Sequence, residues 1–236
     1  MRFSDVARTH VGLKRRLNED AMLCRADLGL WAVADGMGGH DAGEVASAAV
    51  TDHLAALAPA VSLVDRRLAV HQALEQANQA LLAKAEARAT GTIGSTVVAL
   101  AADGQAFVCL WAGDSRAYRL RGDVIAQLTK DHSLVQELVD LGELEPAKAQ
   151  DHPNSNIITR AIGVRAQLGV DCVEGDVASG DVFLLASDGL TRLVSEAELS
   201  AALRASDLSR AADHLVGLCL ARGAPDNISL VIIKAE

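Results

Sequence analysis

The chain has 236 residues, 50% of them hydrophobic and 22% charged, and its 22 Lys+Arg against 31 Asp+Glu give a formal net charge of −9. A chain of this size buries roughly 70 to 75% of its unfolded surface, so a core forms without disulfides or a structural metal, and disordered or small-scaffold classes are excluded. The acidic balance, the 3% aromatic content and the lack of any basic run longer than Arg15-Arg16 argue against a nucleic-acid-binding module.

The N-terminal MRFSDVARTHVG has no apolar leader, and no uncharged run reaches the ~20 residues of a membrane span, so a cytoplasmic protein with no membrane partner is expected. Short apolar runs bounded by turn residues predict strands over 20–26, 30–34, 95–102, 105–112, 117–121, 182–186 and 228–234. Asp103-Gly104 reads as a tight turn joining two of them as an antiparallel hairpin. Helical patterning occupies 43–58 and 65–88, the latter with Leu68, His71, Leu74, Ala77, Leu81 and Ala85 at spacings of three and four. Two further helices follow over 196–203 and 208–221.

Strands and helices thus come in clusters, not in βαβ alternation, which predicts an α+β layered sandwich of antiparallel sheet covered by helices. No linker, repeat or low-complexity tract divides the chain, so residues 1–236 read as one domain. The least regular stretch, 131–163, is expected to be a surface excursion and the place for a flap. Cys24, Cys109, Cys172 and Cys219 form no CxxC pair and read as reduced core thiols.

The chemistry lies in acidic residues at the ends of apolar runs. Asp35 follows LWAVA and precedes GMGGH; Asp188 follows VFLLAS and precedes Gly189. Asp114 follows FVCLWAG, Asp226 sits in GAPDN before the last strand, and Glu19-Asp20 opens an early one. Hard divalent cations such as Mg²⁺ or Mn²⁺ take several oxygen ligands and keep some of their waters, so a few carboxylates on rigid strand ends suit them. A glycine after the Asp permits a turn closed to other residues and lets its own carbonyl face the same ion. Converging acids without a cation would repel one another. Taken singly, each Asp-Gly or Asp-Asn is also an ordinary favoured turn. The chain has no Walker A sequence, no HExxH pair, no GxSxG elbow and no Cys-x5-Arg loop.

Taken in order, the stretches GLKRRLNEDA, VADGMGGHDAGEVAS, GSTVVAL, LWAGDSRAYRL, LTKDHSL, NIITRAIG, LLASDGLT and APDNISLVII resemble the protein phosphatase 2C family of metal-dependent serine/threonine phosphatases, in its compact bacterial form. The resemblance implies a four-layer α-β-β-α sandwich, two antiparallel sheets flanked by helix pairs, with two Mn²⁺ or Mg²⁺ ions in a cleft at one edge. It implies that Asp35 bridges both ions, that the Gly36 carbonyl binds one, and that Asp188 and Asp226 hold the other. Glu19 and Asp20 match an acidic pair that contacts the ions directly or through water; Asp114 with Asp188 matches the holders of a third, weaker ion near the flap.

Arg15, four residues before Glu19, matches the family's phosphate-binding arginine, and His40 after DGMGG matches a candidate general acid, whereas many eukaryotic members place an acid where this chain has Met37. The activity implied is hydrolysis of phosphoserine and phosphothreonine in proteins by a metal-activated water, by a monomer opposing a bacterial Ser/Thr kinase. Two rivals stay open at this point: a silent phosphate-binding member of the fold, and a metal-dependent phosphoesterase acting on small molecules.

Overall fold

A computed structural model describes residues 1–38, 42–88 and 92–236. Eleven strands and six helices appear among them: β1 (Phe3–His10), β2 (Asp20–Arg25), β3 (Leu30–Gly38), α1 (Ala42–Ala55), α2 (Leu63–Arg88), β4 (Ile93–Ser95), β5 (Val97–Ala102), β6 (Ala106–Ala112), β7 (Arg116–Arg121), β8 (Val124–Gln127), α3 (Leu134–Asp140), β9 (Asp171–Asp176), β10 (Val182–Ala186), α4 (Asp188–Thr191), α5 (Glu196–Leu203), α6 (Leu208–Ala221) and β11 (Ile228–Ala235). One antiparallel sheet runs β1-β11-β10-β7-β8, the other β2-β3-β5-β6-β9 with β4 paired to β3.

Strands β5, β6 and β10, and β3 as far as Ala34, are uninterrupted apolar runs because both of their faces are buried. In β3, Leu30, Ala32 and Ala34 pack on α1 and α2, while Trp31 and Val33 point to the opposite sheet. In β11, Ile228, Leu230 and Ile232 join the α5–α6 layer, and Val231, Ile233 and Ala235 face the sheet interior. Each strand therefore feeds two cores, and the molecule is the expected four-layer α-β-β-α sandwich. The helices fit the same logic. α1 lays Ala42, Ala46, Val50 and Leu54 on the sheet at intervals of four, and α5 starts at a Ser195–Glu198 capping box. At the β5–β6 hairpin Asp103 Oδ1 accepts from the Gln105 and Ala106 amides, and Gly104 takes φ +93°.

Several expectations need correction. The buried stripe of α2 is Val70, Ala73, Leu74, Ala77, Asn78 and Leu81; Leu68 is 51% exposed and His71 also faces outward, because both lie off the helix face that carries this stripe. Cys24 and Cys172 are exposed thiols on β2 and β9, the outer strands of their sheet, and only Cys109 and Cys219 are core thiols. Segment 131–163 holds α3, a well-formed helix capped by Ser133, which accepts from the Gln136 amide. β1, β4, β8 and β9 were not foreseen. β1, β8 and β9 are sheet edges and β4 is three residues long, so none shows an apolar run.

Candidate metal centre

The strand run ending at Ala34 continues through Asp35 to Gly38, so Asp35 lies within β3 and not at its end. It stands where β3 exchanges partners: Val33 pairs with Val98 of β5, and Gly36 already pairs with Ser95 of β4. Thr96 bridges the gap. Its amide donates to the Asp35 carbonyl (2.8 Å) and its Oγ1 accepts from the Asp35 amide (3.2 Å), so both backbone groups of Asp35 are held while its side chain turns into the cleft. Across the β2–β3 pair, Asp35 faces Asp20 directly, a placement of like charges that destabilises a sheet unless something offsets it.

The other acids arrive from three further places. Asp114 occupies the turn after β6, Asp188 opens α4 two residues beyond β10, and Asp226 immediately precedes Asn227 and β11. Glu19 enters before β2, and its carboxylate lies against Gly43 in the first turn of α1, where a Cβ on Gly43 would stand 2.2 Å from Glu19 Oε1. A cleft of ≈ 410 Å³ brings together Glu19, Asp35, Asp114, Asp188 and Asp226, with Arg15 and the Gly36 backbone on its wall. Asp20 is set behind this wall, where its Oδ2 accepts from Ser187 Oγ at 2.9 Å. His40 lies outside the described residues.

The acids perturb one another. Burial, and then Asp20, Asp188, Asp114 and Asp226, push the Asp35 carboxyl well above its ordinary range. Asp20 is pushed up to about 7, chiefly by burial, with hydrogen-bonding hydroxyls opposing. Asp114 is also pushed up to about 7 by burial and by Asp188 and Asp131, with Arg192 opposing. Burial raises Asp188 too, against the pull of Arg192. Arg15 donates through Nη2 to Asp226 Oδ2 at 2.8 Å, and this bond raises its own already high pKa.

The donor set fits hard divalent cations. Every candidate ligand is an oxygen, and Asp20 Oδ1 and Asp188 Oδ1 are buried without a hydrogen-bond partner. Among the described residues no three His, Cys, Asp or Glu side chains already close on one point as a ligand group. The acids line a cleft instead, which suits ions that take one or two protein oxygens each and fill the remaining positions with water. The backbone at Gly36 is closed to any side chain, since a Cβ there would lie 1.9 Å from the Gly43 carbonyl oxygen and 2.6 Å from that of Glu19.

Two residues of the site escaped the sequence reading. Asn227 is a buried hub: its Oδ1 accepts from the Glu19 amide, and its Nδ2 donates to the Val11 and Leu17 carbonyls, all at 2.9 Å. This ties the loop carrying Arg15 and Glu19 to the start of β11. Arg192 pairs with Asp188 (Nε to Oδ2, 2.8 Å) and lies 3.9 Å from Asp114 Oδ2. The i,i+4 spacing of Asp188 and Arg192 was a readable sign of the first contact.

Residues 13–216 match the family model described as protein phosphatase 2C. The chain is 37% identical over 227 residues to the serine/threonine protein phosphatase PstP of Mycobacterium tuberculosis, covering 96% of this chain and 44% of that one; it thus spans less than half of that relative's length. It is 43% identical to the structure described as "PppA, a key regulatory component of T6SS in Pseudomonas aeruginosa", with a TM-score of 0.94 and coverage of 100% of this chain and 99% of the other. It is 35% identical to the catalytic domain of serine/threonine protein phosphatase PstP in complex with 2 manganese ions, with a TM-score of 0.87 and coverage of 98% and 97%.

Proposed function

The chain belongs to the protein phosphatase 2C family, and from that premise we propose that it hydrolyses phosphoserine and phosphothreonine in proteins, with the acidic cleft as its catalytic centre. The observation that carries this reading is the meeting of Glu19, Asp35, Asp114, Asp188 and Asp226, from five separate segments, on one cleft that also holds Arg15.

Asp35 and the Gly36 carbonyl, with Asp188 and Asp226, would hold two principal ions, Mn²⁺ or Mg²⁺. Glu19 and Asp20 would act on them directly or through water, and Asp114 with Asp188 would hold a third. Bound there, such ions supply the acidity that activates a water and the positive charge that offsets the phosphoryl oxygens. The remaining work belongs to the chain. Arg15 presents a guanidinium fork to the phosphate dianion, and its bond to Asp226 fixes the direction of that fork. Thr96, holding both backbone groups of Asp35, fixes the backbone position from which that carboxylate enters the cleft. His40, placed by its motif alone, donates a proton to the departing serine or threonine oxygen.

The substrate class rests on the names of relatives such as the serine/threonine protein phosphatase PstP, and a Ser/Thr kinase is the source of such phosphoproteins. Among the described residues no helix is long and apolar enough to cross a membrane. We place the chain as a monomeric single-domain enzyme of the cytoplasm on the sequence reading above.

The test is turnover of a phosphothreonine peptide, a nucleotide monophosphate and p-nitrophenyl phosphate with Mn²⁺, with Mg²⁺, with EDTA and in Asp188→Ala. Peptide turnover that needs the metal and Asp188 is expected. Turnover indifferent to EDTA, or a strong preference for the nucleotide, overturns the reading.

A further inference from the structure

Arg192 is bound on every side. Its Nε donates to Asp188 Oδ2 at 2.8 Å, its Nη2 donates to the Ser155 carbonyl at 2.8 Å and approaches Asp114 Oδ2 at 3.9 Å, and its Nη1 donates to Asn156 Oδ1. Its own backbone carbonyl accepts from Gln150 Nε2. An ordinary i,i+4 ion pair lies in solvent and contributes little. Here the side chains of Arg192, Asp188 and Asp114 are only 29%, 19% and 10% exposed, and the fork reaches segment 150–156, some 36 residues away in sequence. The catalytic cleft and a second cavity of ≈ 210 Å³ beneath that segment are both bordered by Asp114, Asp188 and Arg192. One guanidinium thus both separates two hollows and joins the acidic centre to the segment above it.

Resting on the reading that Asp114 and Asp188 hold cations, we propose that Arg192 is a positioning residue: a built-in cation that competes with a weakly bound divalent ion for these two acids and, while paired with them, latches segment 150–156 against the cleft. At Asp188 Oδ2 and Asp114 Oδ2 the electrostatics allow one cation at a time. A divalent ion taken up by Asp114 and Asp188 repels the guanidinium that pairs with Asp188 Oδ2, and once Arg192 leaves, the Ser155 carbonyl and Asn156 lose their donors. Asp188 Oδ1 makes no hydrogen bond, so pairing with Arg192 leaves that oxygen for the principal ions. Linkage makes the effect reciprocal: whatever loosens the latch tightens the weak ion, and the reverse.

The experiment follows Mn²⁺ binding by titration calorimetry and hydrogen exchange of peptides covering 150–157, whose amides at Ser155 and Ile157 bond to the His152 and Asn154 carbonyls. In the wild-type chain, raising Mn²⁺ from two equivalents to saturation speeds exchange of this segment, on the order of tenfold. Arg192→Gln tightens the weakest ion on the order of tenfold and exchanges fast at every Mn²⁺ level. Arg192→Lys keeps the competing charge but not the fork, so ion affinity stays near wild type while the segment exchanges fast. Two tight ions with a segment indifferent to further Mn²⁺ overturn the proposal alone, and so does a weak ion unaffected by Arg192→Gln. A wild-type chain that binds no Mn²⁺ overturns the metal-centre reading and this proposal with it. The wild-type titration decides the matter even if a variant fails to fold.

Discussion

Replacing Asn227 by Ala removes three hydrogen bonds at one stroke: the acceptor of the Glu19 amide and the donors to the Val11 and Leu17 carbonyls, each 2.9 Å long. All three partners are backbone groups in part-buried surroundings, so each loss costs about 1 kcal/mol, not the full penalty of a deeply buried orphan, and the total is about 3 kcal/mol. Equilibrium urea unfolding measures this as a fall in midpoint of about 1 M or more. Function suffers separately. The freed loop carries Arg15 and Glu19, so below the unfolding transition the variant shows a raised KM for phosphopeptide and weaker Mn²⁺ binding, with kcat at saturation less affected. Asn227→Asp keeps the acceptor and loses both donors, and falls between wild type and Ala in stability. A midpoint within about 0.3 M of wild type, together with unchanged KM and ion affinity, would refute the view that Asn227 clamps this loop.

Gly36→Ala drives a Cβ to 1.9 Å from a carbonyl oxygen of α1, and since backbone must move to relieve it, the variant loses about 3 kcal/mol or more and binds Mn²⁺ poorly; a thermal melt that matches wild type counts against the cradle. Arg15→Ala removes a charge-assisted contact with the phosphate and lowers kcat/KM roughly ten- to hundredfold; steady-state kinetics on phosphopeptide check it, and an unchanged value excludes Arg15 from phosphate binding. In EDTA, the raised pKa values of Asp20, Asp35, Asp114 and Asp188 mean that the folded chain holds protons the unfolded chain releases near its ordinary 3.8. Stability from these groups is present below that value and is lost as pH rises through about 7, so the metal-free melting temperature falls from pH 5 to pH 8. His132, lowered by burial, acts in the opposite sense, but it is one group against four. Saturating Mn²⁺ abolishes the slope, and a metal-free melting temperature that rises over this range contradicts the assignment.

Much of this was legible because the strands that carry the centre are buried on both faces: LWAVA and VFLLAS announce themselves, and the acids that follow them are conspicuous against such runs. The edge strand Phe3–His10 was not legible, since its exposed margin makes FSDVARTH look like loop. Counting apolar residues along Leu63–Arg88 favours Leu68 over the buried Val70, because the sequence does not mark where the helix meets the sheet. GMGG reads as a turn and puts Asp35 at a strand end, yet β4 supplies a second partner that carries the strand onward. Asn227 and Arg192 show a deeper limit. Apart from Asp188, four residues before Arg192, their partners lie from 36 to more than 200 residues away, and no local pattern marks a side chain whose work is to join distant segments.

The strand order has a consequence for how the chain is made. β11 sits between β1 and β10, so β1 acquires its neighbour across contacts such as Thr9 to Ser229, 220 residues apart. At bacterial rates of synthesis β1 therefore waits roughly ten to forty seconds on the ribosome with no strand to pair with. The other sheet, complete by Asp176, has all its strands well before then. Asp35 and Asp114 thus join a nascent half-molecule that lacks Asp188 and Asp226, and Arg15 has no Asp226 to aim it. Nascent chains in this state hold an unfinished centre, and competence arrives in a single late step when β11 slots between β1 and β10.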